Sequence, residues 1–424
     1  MIGNKIYNLA KKIWSYNRSL TGNGVRKTLF EFNKIFEELK IFEIKSGTKA
    51  FDWVIPEEWN VNQAYILDPN KKKICDFKKN NLHLVSYSIP TNKTLKLKDL
   101  KKKLYSDPIN KNAIPYRTSY YKKDWGFCIS ETQKKKLKKG NYKVFIDSKI
   151  DENGSMTFGE IFIKGKSSKE IFFSSYICHP SLANNELSGP CLLIYLAQAI
   201  ARKINNYSVR MVFIPETIGS IYYLSKNHKK MKKKINFAFN ITCVGDSRNY
   251  SFIPSRKSNT NTDLLTRHVY KYFTNNYKEY TWNDRGSDER NYCSPGIDLP
   301  MCTIMRSKFG DYKEYHTSDD NLTKVVSKKG LNGSFNLIEK LHYAADNFCY
   351  PKARFLGEPF LSKRKLYPSI GAGKLPKKII LIKNILTYSD GSNSIIDIAN
   401  KCDVAVWEII PTVNELKKKK LLYV

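Results

Sequence analysis

The sequence predicts an α/β fold in which a mostly parallel sheet carries helices on both faces. From residue 171 onwards, apolar runs that are typical of buried strands alternate with amphipathic segments that are typical of helices. The chain has 424 residues, of which 41% are hydrophobic and 13% aromatic, so it can bury a large core. Several candidate functional residues directly follow predicted strands, which is where ligands bind in parallel α/β sheets.

Residues 1–45 are predicted to form a helical lead-in. Apolar side chains recur at helical spacing in residues 6–13 and 29–36, and the Gly22–Gly24 segment separates the two stretches. Residues 46–130 change to short apolar runs that are broken by Pro, Asn and Asp. This pattern predicts a small β-rich domain inserted into the main core.

Residues 131–350 are predicted to form the main α/β core. It begins with two strand-like runs, NYKVFIDSKI and MTFGEIFIKG, and the turn residues DENGS between them predict a hairpin. Strands and helices then alternate in the order IFFSSYIC (strand), SGPCLLIYLAQAIARKI (helix), SVRMVFIPE (strand), GSIYYLSKN (helix) and INFAFNITCVG (strand). A helix at 262–273, the strand LPMCTIM and a helix at 330–347 complete this core.

Residues 351–374 are predicted to be a linker, because Pro and Gly interrupt the hydrophobic pattern. Beyond it, residues 375–424 contain three short helical segments and a small basic end, an order that predicts a winged-helix domain. The candidate recognition helix, AVWEIIPTVNELKKKK, is acidic and apolar in its first half and offers few base-reading side chains. We therefore expect this domain to pack or dimerise rather than to bind DNA.

The net charge of +34 comes mainly from Lys residues that are spread along the whole chain. We therefore expect a solvated Lys-rich surface and no nucleic-acid partner. No stretch approaches the roughly 20 apolar residues that span a bilayer, and the N-terminus lacks a signal-peptide apolar region, so no membrane partner is expected. The nine cysteines form no CxxC pair and most lie in apolar runs, which favours buried free thiols and a cytoplasmic location.

Two of the six histidines lie in polar loops next to predicted strands. His179 directly follows the strand IFFSSYIC, and His316 lies in the segment EYHTSDDNL. A neutral imidazole in such a loop can bind a metal ion above the sheet, although a single histidine is more often structural. Glu216 ends the strand SVRMVFIPE, where it either accepts a proton from an attacking water or begins a helix whose amides satisfy it.

Further charged residues lie beside the later strands. Asp246 comes just past INFAFNITCVG, and the segment RGSDERNYCSPGIDLP brings Arg285, Asp288, Glu289 and Arg290 ahead of the next strand. These residues add candidate ligands for a metal ion or a substrate.

The chain resembles the zinc-dependent aminopeptidase and glutaminyl-cyclase superfamily, and more narrowly its bacterial aminopeptidase-like branch. That branch carries an inserted small domain and a C-terminal winged helix, and it is often encoded among polysaccharide-biosynthesis genes. The resemblance covers nearly the whole chain and rests on RSLTGNGVRKTL, SGTKAFDWVIPEEWN, IPYRTSYY, WGFC, ICHPSLANNELSG, PETIGS, CVGD, GSDERNYCSPG and EYHTSDDN. It implies that residues 131–350 are a catalytic core with a zinc-exopeptidase-like fold.

The resemblance also implies roles for single residues. His179 matches the first histidine ligand of the superfamily, His316 matches the last one, and Glu216 matches the general base. Asp288 matches a position close to the site, where it would orient a ligand or hold a substrate amine.

Two departures from the superfamily pattern concern the metal. Thr217 stands where the superfamily has a second, metal-binding Glu, and the loop reads Asn184, Asn185, Glu186 where its metal-bridging Asp is expected. A two-metal site needs a bridging carboxylate, so we expect one zinc ion. Its ligands would be the two histidines and one carboxylate, either Glu186 or Asp246, with one position left open.

The leading hypothesis is a zinc-dependent aminopeptidase-like hydrolase that cleaves an amide bond in a short peptide or an amino-sugar-type metabolite. Asn185, Asp288, Arg285 and Arg290 are predicted to contact this substrate. Either of these arginines, or Arg306, would bind a carboxylate or phosphate, and each is also explained as a surface or structural ion-pair residue.

Two other functions stay open. In one, the core is a catalytically altered ligand-binding domain and the winged helix makes the protein a regulator. In the other, the site performs glutaminyl-cyclase-like acyl transfer, in which the substrate's own amine replaces water as the nucleophile. The natural substrate, the metal and the presence of a homo-oligomer are not fixed by the sequence.

Overall fold

A mixed eight-stranded sheet is the centre of the first of two units in this computed structural model, which describes residues 1–367 and 375–424. The first unit consists of Met1–Ser258 and Lys278–Phe335, and the second of Asn259–Tyr277 and Asn336–Val424. Part of the predicted linker, residues 368–374, lies outside the described residues.

The secondary structure of the described residues is numbered here in chain order. The strands are β1 (Lys40–Lys45), β2 (Lys49–Ala50), β3 (Trp53–Val54), β4 (Glu58–Leu67), β5 (Lys73–Ile74), β6 (Thr91–Lys96), β7 (Leu104–Tyr105), β8 (Phe127–Cys128), β9 (Asn141–Asp151), β10 (Ser155–Ile163), β11 (Ser167–Tyr176), β12 (Tyr207–Ile214), β13 (Ile235–Ile241), β14 (Ser251–Ile253), β15 (Lys278–Glu279), β16 (Met301–Met305), β17 (Lys352–Ala353) and β18 (Leu422–Tyr423). The α-helices are α1 (Ile2–Ile13), α2 (Asn23–Asn33), α3 (Leu97–Leu100), α4 (Glu131–Lys135), α5 (Ser188–Ala201), α6 (Ile218–Lys234), α7 (Asn261–Phe273), α8 (Glu289–Tyr292), α9 (Lys328–Asp346), α10 (Lys377–Tyr388), α11 (Ile395–Lys401) and α12 (Val406–Lys418).

The large sheet has the strand order β1-β10-β12-β11-β13-β16-β14-β15. Its middle is parallel, because β11 pairs with β12 and β13, and β13 pairs with β16. Antiparallel pairs of β10 with β1 and β12, and of β14 with β16, lie on either side. The central strands are continuously apolar because both of their faces are covered. On β11, for example, the successive residues Phe172 and Phe173 point to opposite faces, and both are fully buried.

The helices that follow the central strands agree with the helical periodicity of the sequence. Helices α5, α6, α7 and α9 coincide with predicted helices, and α6 continues to Lys234, beyond its predicted segment. The break between α1 and α2 falls at Gly22, whose φ of 96° is readily adopted only by a residue without a Cβ.

Two local predictions were wrong. Residues 40–45 are not helical but form the edge strand β1. The turn after Asp151 does not close a hairpin either, because β9 pairs with β4 and β6 whereas β10 pairs with β1 and β12. Turn residues reverse the chain locally, but the longer ladders that each strand forms with other partners decide its sheet.

A second, four-stranded sheet has the order β5-β4-β9-β6. Its core includes the fully buried Trp59, whose indole N–H donates to the Ser88 carbonyl over 3.0 Å. The same apolar cluster contains Tyr176, Cys178 and Ile218 from the large-sheet side. The small sheet therefore packs next to the carboxyl end of β11.

The second unit contains α7, the end of α9, helices α10 to α12 and the antiparallel pair of β17 with β18. Helix α11 begins with a capping box formed by Ser394 and Asp397. Within the described residues, no helix is both long enough and apolar enough to span a bilayer. Seven of the nine cysteines, all of which lie in the described residues, are buried, as the apolar runs predicted.

Candidate active site

The carboxyl ends of three strands in the large sheet meet at one cavity of about 410 Å³. His179 follows β11, Glu216 follows β12, and His316 lies in the loop after β16. All three side chains line the cavity, together with Arg290. The structure thus brings together four of the residues that the sequence singled out.

His179 is buried and has two different carboxylates at its two ring nitrogens. Nδ1 lies 2.8 Å from Glu186 Oε2, and Nε2 lies 3.6 Å from Glu216 Oε2. Burial, with a smaller contribution from the Arg18 guanidinium, lowers the pKa of His179 to about 3. The imidazole is therefore neutral, which is the form that binds metal ions.

Glu186 lies behind His179, on the side away from Glu216. It belongs to a π-helical turn, Ala183–Leu187, whose backbone N–H groups at Asn184 and Asn185 donate to the Asp320 carboxylate over 2.7 and 2.9 Å. Glu186 Oε1 lies 3.5 Å from Arg18 Nε, and both side chains are fully buried. Burial raises the pKa of Glu186 to about 8, while the Arg18 charge opposes this shift.

His316 faces His179 across the cavity, with 5.4 Å between the ring centroids. Its φ of 53° is unusual for a residue with a side chain, and its ring stacks on Tyr315 at 3.9 Å. The Nε2 atom is buried and has no hydrogen-bond partner among the described residues. Burial holds the pKa of His316 well below its usual range, so this imidazole is also neutral.

Glu216 is about one-fifth exposed and shares its surroundings with a second carboxylate, Asp288. Burial and the Asp288 charge raise the pKa of Glu216 to about 8, and Arg290 opposes them. Asp288 Oδ1 accepts from the Thr217 N–H and the Ser220 hydroxyl, each over 2.8 Å, which fixes the start of α6. Its Oδ2 is buried without a hydrogen-bond partner among the described residues, and burial raises the pKa of Asp288 to about 6.

The candidate arginines have different surroundings. Arg290 lines the cavity and donates to the Thr217 hydroxyl over 2.6 Å. Arg285 is exposed, stacks over Trp282 and donates to that residue's carbonyl, and it is not part of the cavity wall. Arg306 is buried with its guanidinium 3.6 Å above the ring of Tyr250. Of the three arginines, Arg290 is the one that lines the cavity with His179 and His316.

Asp246 is fully buried among structural donors. Its carboxylate accepts from the backbone N–H groups of Arg248 and Ser307, from the Ser307 hydroxyl and from the Asn184 amide, over 2.9 to 3.3 Å. It is not part of the cavity wall that holds His179 and His316. The four hydrogen bonds occupy both oxygens of the Asp246 carboxylate and connect three loops.

Asn185 belongs to a hydrogen-bonded cluster of uncharged side chains beside His179. Its amide donates to the Tyr176 hydroxyl over 2.6 Å, and that hydroxyl lies 2.5 Å from Thr242 Oγ1. The Tyr176 and His179 rings lie 5.2 Å apart. The Asn185 Oδ1 atom is buried and lacks a hydrogen-bond partner among the described residues. Asn185 is thus close to His179 and brings an uncharged side chain to this position.

Aromatic residues from the inserted region close the cavity, and sequence reasoning did not assign them a role. Tyr116 lies edge-on to both His179 and His316, with 5.2 Å between ring centroids in each case, and its hydroxyl pairs with that of Tyr120 over 2.6 Å. Trp53 and Tyr121 also line the wall. The clustering of tyrosines in IPYRTSYY was the available signal.

The site has the features of a metal centre. Cys178, His179 and Glu186 form a buried cluster with metal-ligating atoms. Glu186 lies at the Nδ1 side of His179, so Nε2 is the nitrogen of that ring that remains for a metal ion, and Nε2 of His316 is buried without a hydrogen-bond partner among the described residues. Two neutral imidazoles and a nearby carboxylate suit a divalent transition-metal ion such as zinc.

Two family models match the chain. The family described as a domain of unknown function, DUF4910, matches residues 7–347, and a winged helix-turn-helix family matches residues 349–424.

Individual proteins are similar over the same length. A Clostridium acetobutylicum protein, provisionally named a polysaccharide biosynthesis protein with an aminopeptidase-like domain, is 40% identical over 422 residues, which are 99% of this chain and 96% of that protein. A crystal structure of a provisionally named peptidase from the same organism has a TM-score of 0.92 at 38% identity, covering 100% of this chain and 96% of that one. The zinc aminopeptidase BSAP from Bacillus subtilis has a TM-score of 0.60 at 12% identity, covering 81% and 95%, which shows a shared fold.

Proposed function

Because this chain belongs to the DUF4910 family and shares the fold of a zinc aminopeptidase, we propose that it is a single-metal, aminopeptidase-like hydrolase of amide bonds. The observation that carries this proposal is the pair of neutral histidines, His179 and His316, that face each other beside Glu216 in one cavity.

The residues at the cavity fit one zinc ion. Nε2 of His316 is buried without a hydrogen-bond partner among the described residues, which is costly unless something binds it. His179 and His316 would hold the ion through their Nε2 atoms. When bound, the ion would supply Lewis-acid polarisation of the scissile carbonyl. Glu186 and Asp246 are left out of this ligand set, because the first is bonded behind His179 and the second is occupied by four donors.

The same residues do not fit a second ion. Asn185 and Thr242 are uncharged hydrogen-bonding residues in the cluster around Tyr176, and Thr217 accepts a hydrogen bond from Arg290 at the start of α6. Two divalent ions need a bridging carboxylate, and the side chains that hydrogen-bond the Tyr176 hydroxyl, those of Asn185 and Thr242, are uncharged.

Glu216 would act as the general base of this reaction. Its raised pKa makes it a competent proton acceptor and donor near neutral pH. The carboxylate would take a proton from the attacking water and pass it to the leaving amine. Arg290 would bind an anionic group of the substrate, and the rings of Trp53, Tyr116 and Tyr121 would pack against its apolar or sugar-like part. The cavity volume of about 410 Å³ suits a short peptide or an amino-sugar-type metabolite.

The test is to measure zinc content and hydrolysis of aminoacyl-arylamide substrates for the native protein and for Glu216→Gln. We expect one zinc ion per chain in both proteins and a loss of activity of about 10²–10⁴-fold in the variant. Glu57→Gln is the control, because Glu57 forms a surface pair with Lys123 over 3.4 Å and lies outside this cavity. Product mass separates hydrolysis, which adds water, from cyclisation.

Two results would contradict the proposal. If the native protein binds no zinc, the proposed zinc dependence of the reaction is wrong. If Glu216→Gln keeps full activity, Glu216 is not the general base. If zinc is lost from Glu216→Gln but not from Glu57→Gln, Glu216 is a ligand rather than the base.

A further inference from the structure

We propose that a second cavity, next to the active-site cavity, is a binding subsite for a sugar residue of the substrate. The substrate is then an amide-bearing oligosaccharide, with its amide at the two histidines and its next sugar residue in the second cavity. This inference rests on the proposed function and names the substrate class of that same site.

The two cavities are neighbours that share one wall. The second has a volume of about 400 Å³, and Tyr121 lines both. On β3, Trp53 lines the active-site cavity and the next residue, Val54, lines the second one, because successive side chains of a strand point to opposite sides. The Tyr121 hydroxyl donates to the Val54 carbonyl over 2.8 Å, which connects the two parts of this wall. One extended ligand can therefore occupy both cavities.

Much of the wall of the second cavity is apolar. Its aliphatic side chains come from two segments of the chain: Val54, Ile55, Pro56 and Ile150. Tyr121 adds an aromatic ring that is 54% exposed. Small-molecule sites usually combine such an apolar lining with a few polar groups that fix the orientation of the ligand. The C–H face of a sugar ring can pack against this lining.

Ser46 provides the observation that points to a ligand. It lines the second cavity and is only 8% exposed, yet its hydroxyl has no hydrogen-bond partner among the described residues. Its backbone N–H donates to the Gly154 carbonyl over 2.9 Å, so the unmet hydrogen bond belongs to the side chain. A buried hydroxyl without a partner is costly, and a hydroxyl group of a bound sugar would supply that partner.

The charged side chains of the second cavity favour an uncharged ligand. Lys123 pairs with Glu57 over 3.4 Å, and Lys122 lies 3.7 Å from Asp124. Each lysine thus already has a carboxylate partner, and we leave the Glu57–Lys123 pair out of the contacts to the ligand. Glu152, which is exposed at the cavity, can accept from hydroxyl groups. This set suits a sugar residue better than a phosphate or a carboxylate.

The experiment is titration calorimetry of the full-length protein with three probes, before and after treatment with a chelator. N-acetylglucosamine carries an amide on one sugar, its trimer triacetylchitotriose is long enough to reach the second cavity, and trialanine is a short chain without sugars. We expect the trimer to bind at least about tenfold more tightly than the monomer, because the added contacts come without a second loss of overall freedom. The chelator should not change this ratio.

Val54→Trp tests the second cavity directly. Val54 is 43% exposed, so the larger ring can narrow the cavity without entering the core. We expect the trimer then to bind no more tightly than the monomer. The matched control is Ile204→Trp, which places the same ring at an apolar position that is 84% exposed and outside both cavity walls. This control should keep the full gain of the trimer.

Ser46→Ala separates a ligand-binding role from a structural one. If the hydroxyl serves the fold, its loss lowers the melting temperature and leaves the gain of the trimer unchanged. We expect the opposite: a melting temperature no lower than that of the native protein, because an unsatisfied buried group is removed, and a smaller gain of the trimer. If Val54→Trp does not fold, this variant still decides the question.

The outcomes separate this inference from the proposed function. Equal affinities for monomer and trimer, no measurable binding of the trimer, or an unchanged gain in Val54→Trp would overturn the inference even if the protein binds zinc and hydrolyses amides. Trialanine that binds more tightly than the trimer, and loses affinity in Val54→Trp, would overturn the assignment to sugars. A gain that Val54→Trp removes, in a protein that binds no zinc, would support the subsite while refuting the metal-dependent function.

Discussion

A single amide, Asn185, bears on how many metal ions this site can hold. It is 2% exposed, its N–H group bonds Asp320, and its side chain donates to Tyr176 beside His179. Its Oδ1 atom has no hydrogen-bond partner among the described residues. A carboxylate here would add a negative charge next to the proposed zinc site without a change of size.

We predict that Asn185→Asp destabilises the metal-free protein and strengthens zinc binding. A buried carboxylate without a counter-charge costs more than the about 1–3 kcal/mol of a neutral unsatisfied group, so the melting temperature should fall in the presence of a chelator. With zinc, the new charge should raise the affinity by about tenfold, which is roughly 1.4 kcal/mol, at a stoichiometry of one. Calorimetric titration and thermal melts with and without zinc measure both effects.

Asn184→Asp is the matched control for that substitution. The Asn184 amide donates to Asp246 over 3.3 Å, so a carboxylate there faces another carboxylate and not the histidines. It should destabilise the protein without any gain in zinc affinity. Equal zinc affinities in the native protein and in Asn185→Asp would show that Asn185 does not border the metal position.

The sequence could locate some residues of the site but not the direction of their side chains. His179, Glu216 and His316 line one cavity because strand ends in a parallel sheet converge. Asp246 also follows a strand, yet its carboxylate faces loop amides, and no local pattern encodes that direction. Arg18 lies 161 positions before its contact with His179, so sequence spacing gave no sign of it.

At the scale of elements, periodicity predicted the helices of the core, whereas sheet partners depended on distant segments. Strands β9 and β10 are adjacent in the chain, but they belong to different sheets. Local sequence patterns also did not predict the π-helical turn Ala183–Leu187 or the positive φ values at Thr217 and His316. Such backbone strain persists only where surrounding contacts hold it, and it is common at functional sites.

Helix α7 of the second unit offers an element-scale prediction through His268. Its Nδ1 pairs with Asn400 of α11 over 2.7 Å, and its Nε2 accepts from the Val406 N–H at the start of α12 over 2.9 Å. Burial, with a smaller contribution from Lys271, lowers the pKa of His268. Protonation would break the bond from Val406, so the folded state binds this proton less well than the unfolded state.

We therefore predict that His268 makes the second unit sensitive to acid. Its contribution to the free energy of unfolding is constant above about pH 6.5 and falls below it by up to about 1.4 kcal/mol per pH unit. His268→Gln should flatten this part of the profile in urea titrations between pH 7.5 and pH 5.5. Asn400→Asp should reduce the acid loss, because a carboxylate would stabilise the protonated ring. Parallel profiles for the native protein and His268→Gln would contradict the assignment.

At the scale of the whole molecule, the net charge of +34 dominates any encounter with a polyanion. Such a charge attracts DNA without reading its sequence. The exposed positions of α12 include Glu408, Pro411 and Asn414, of which Asn414 is the one whose amide can pair bidentately with a base. The Lys residues at 417 to 420 come after these positions in the chain. The side chains suited to contact phosphates are therefore different from the side chain suited to read a base.

We predict that any binding of duplex DNA by the full-length protein is non-specific. Fluorescence anisotropy with two unrelated duplexes should give equal affinities, because phosphate contacts carry no sequence information. Raising the salt from 50 to 200 mM should weaken binding by about 10³–10⁵-fold if six to ten phosphates are neutralised. Replacing Lys417 and Lys418 by Gln should lower the salt dependence, whereas Asn414→Ala should change nothing. Enrichment of one sequence from a random duplex pool, lost in Asn414→Ala, would instead make the winged helix a sequence-specific reader and revive a regulatory role.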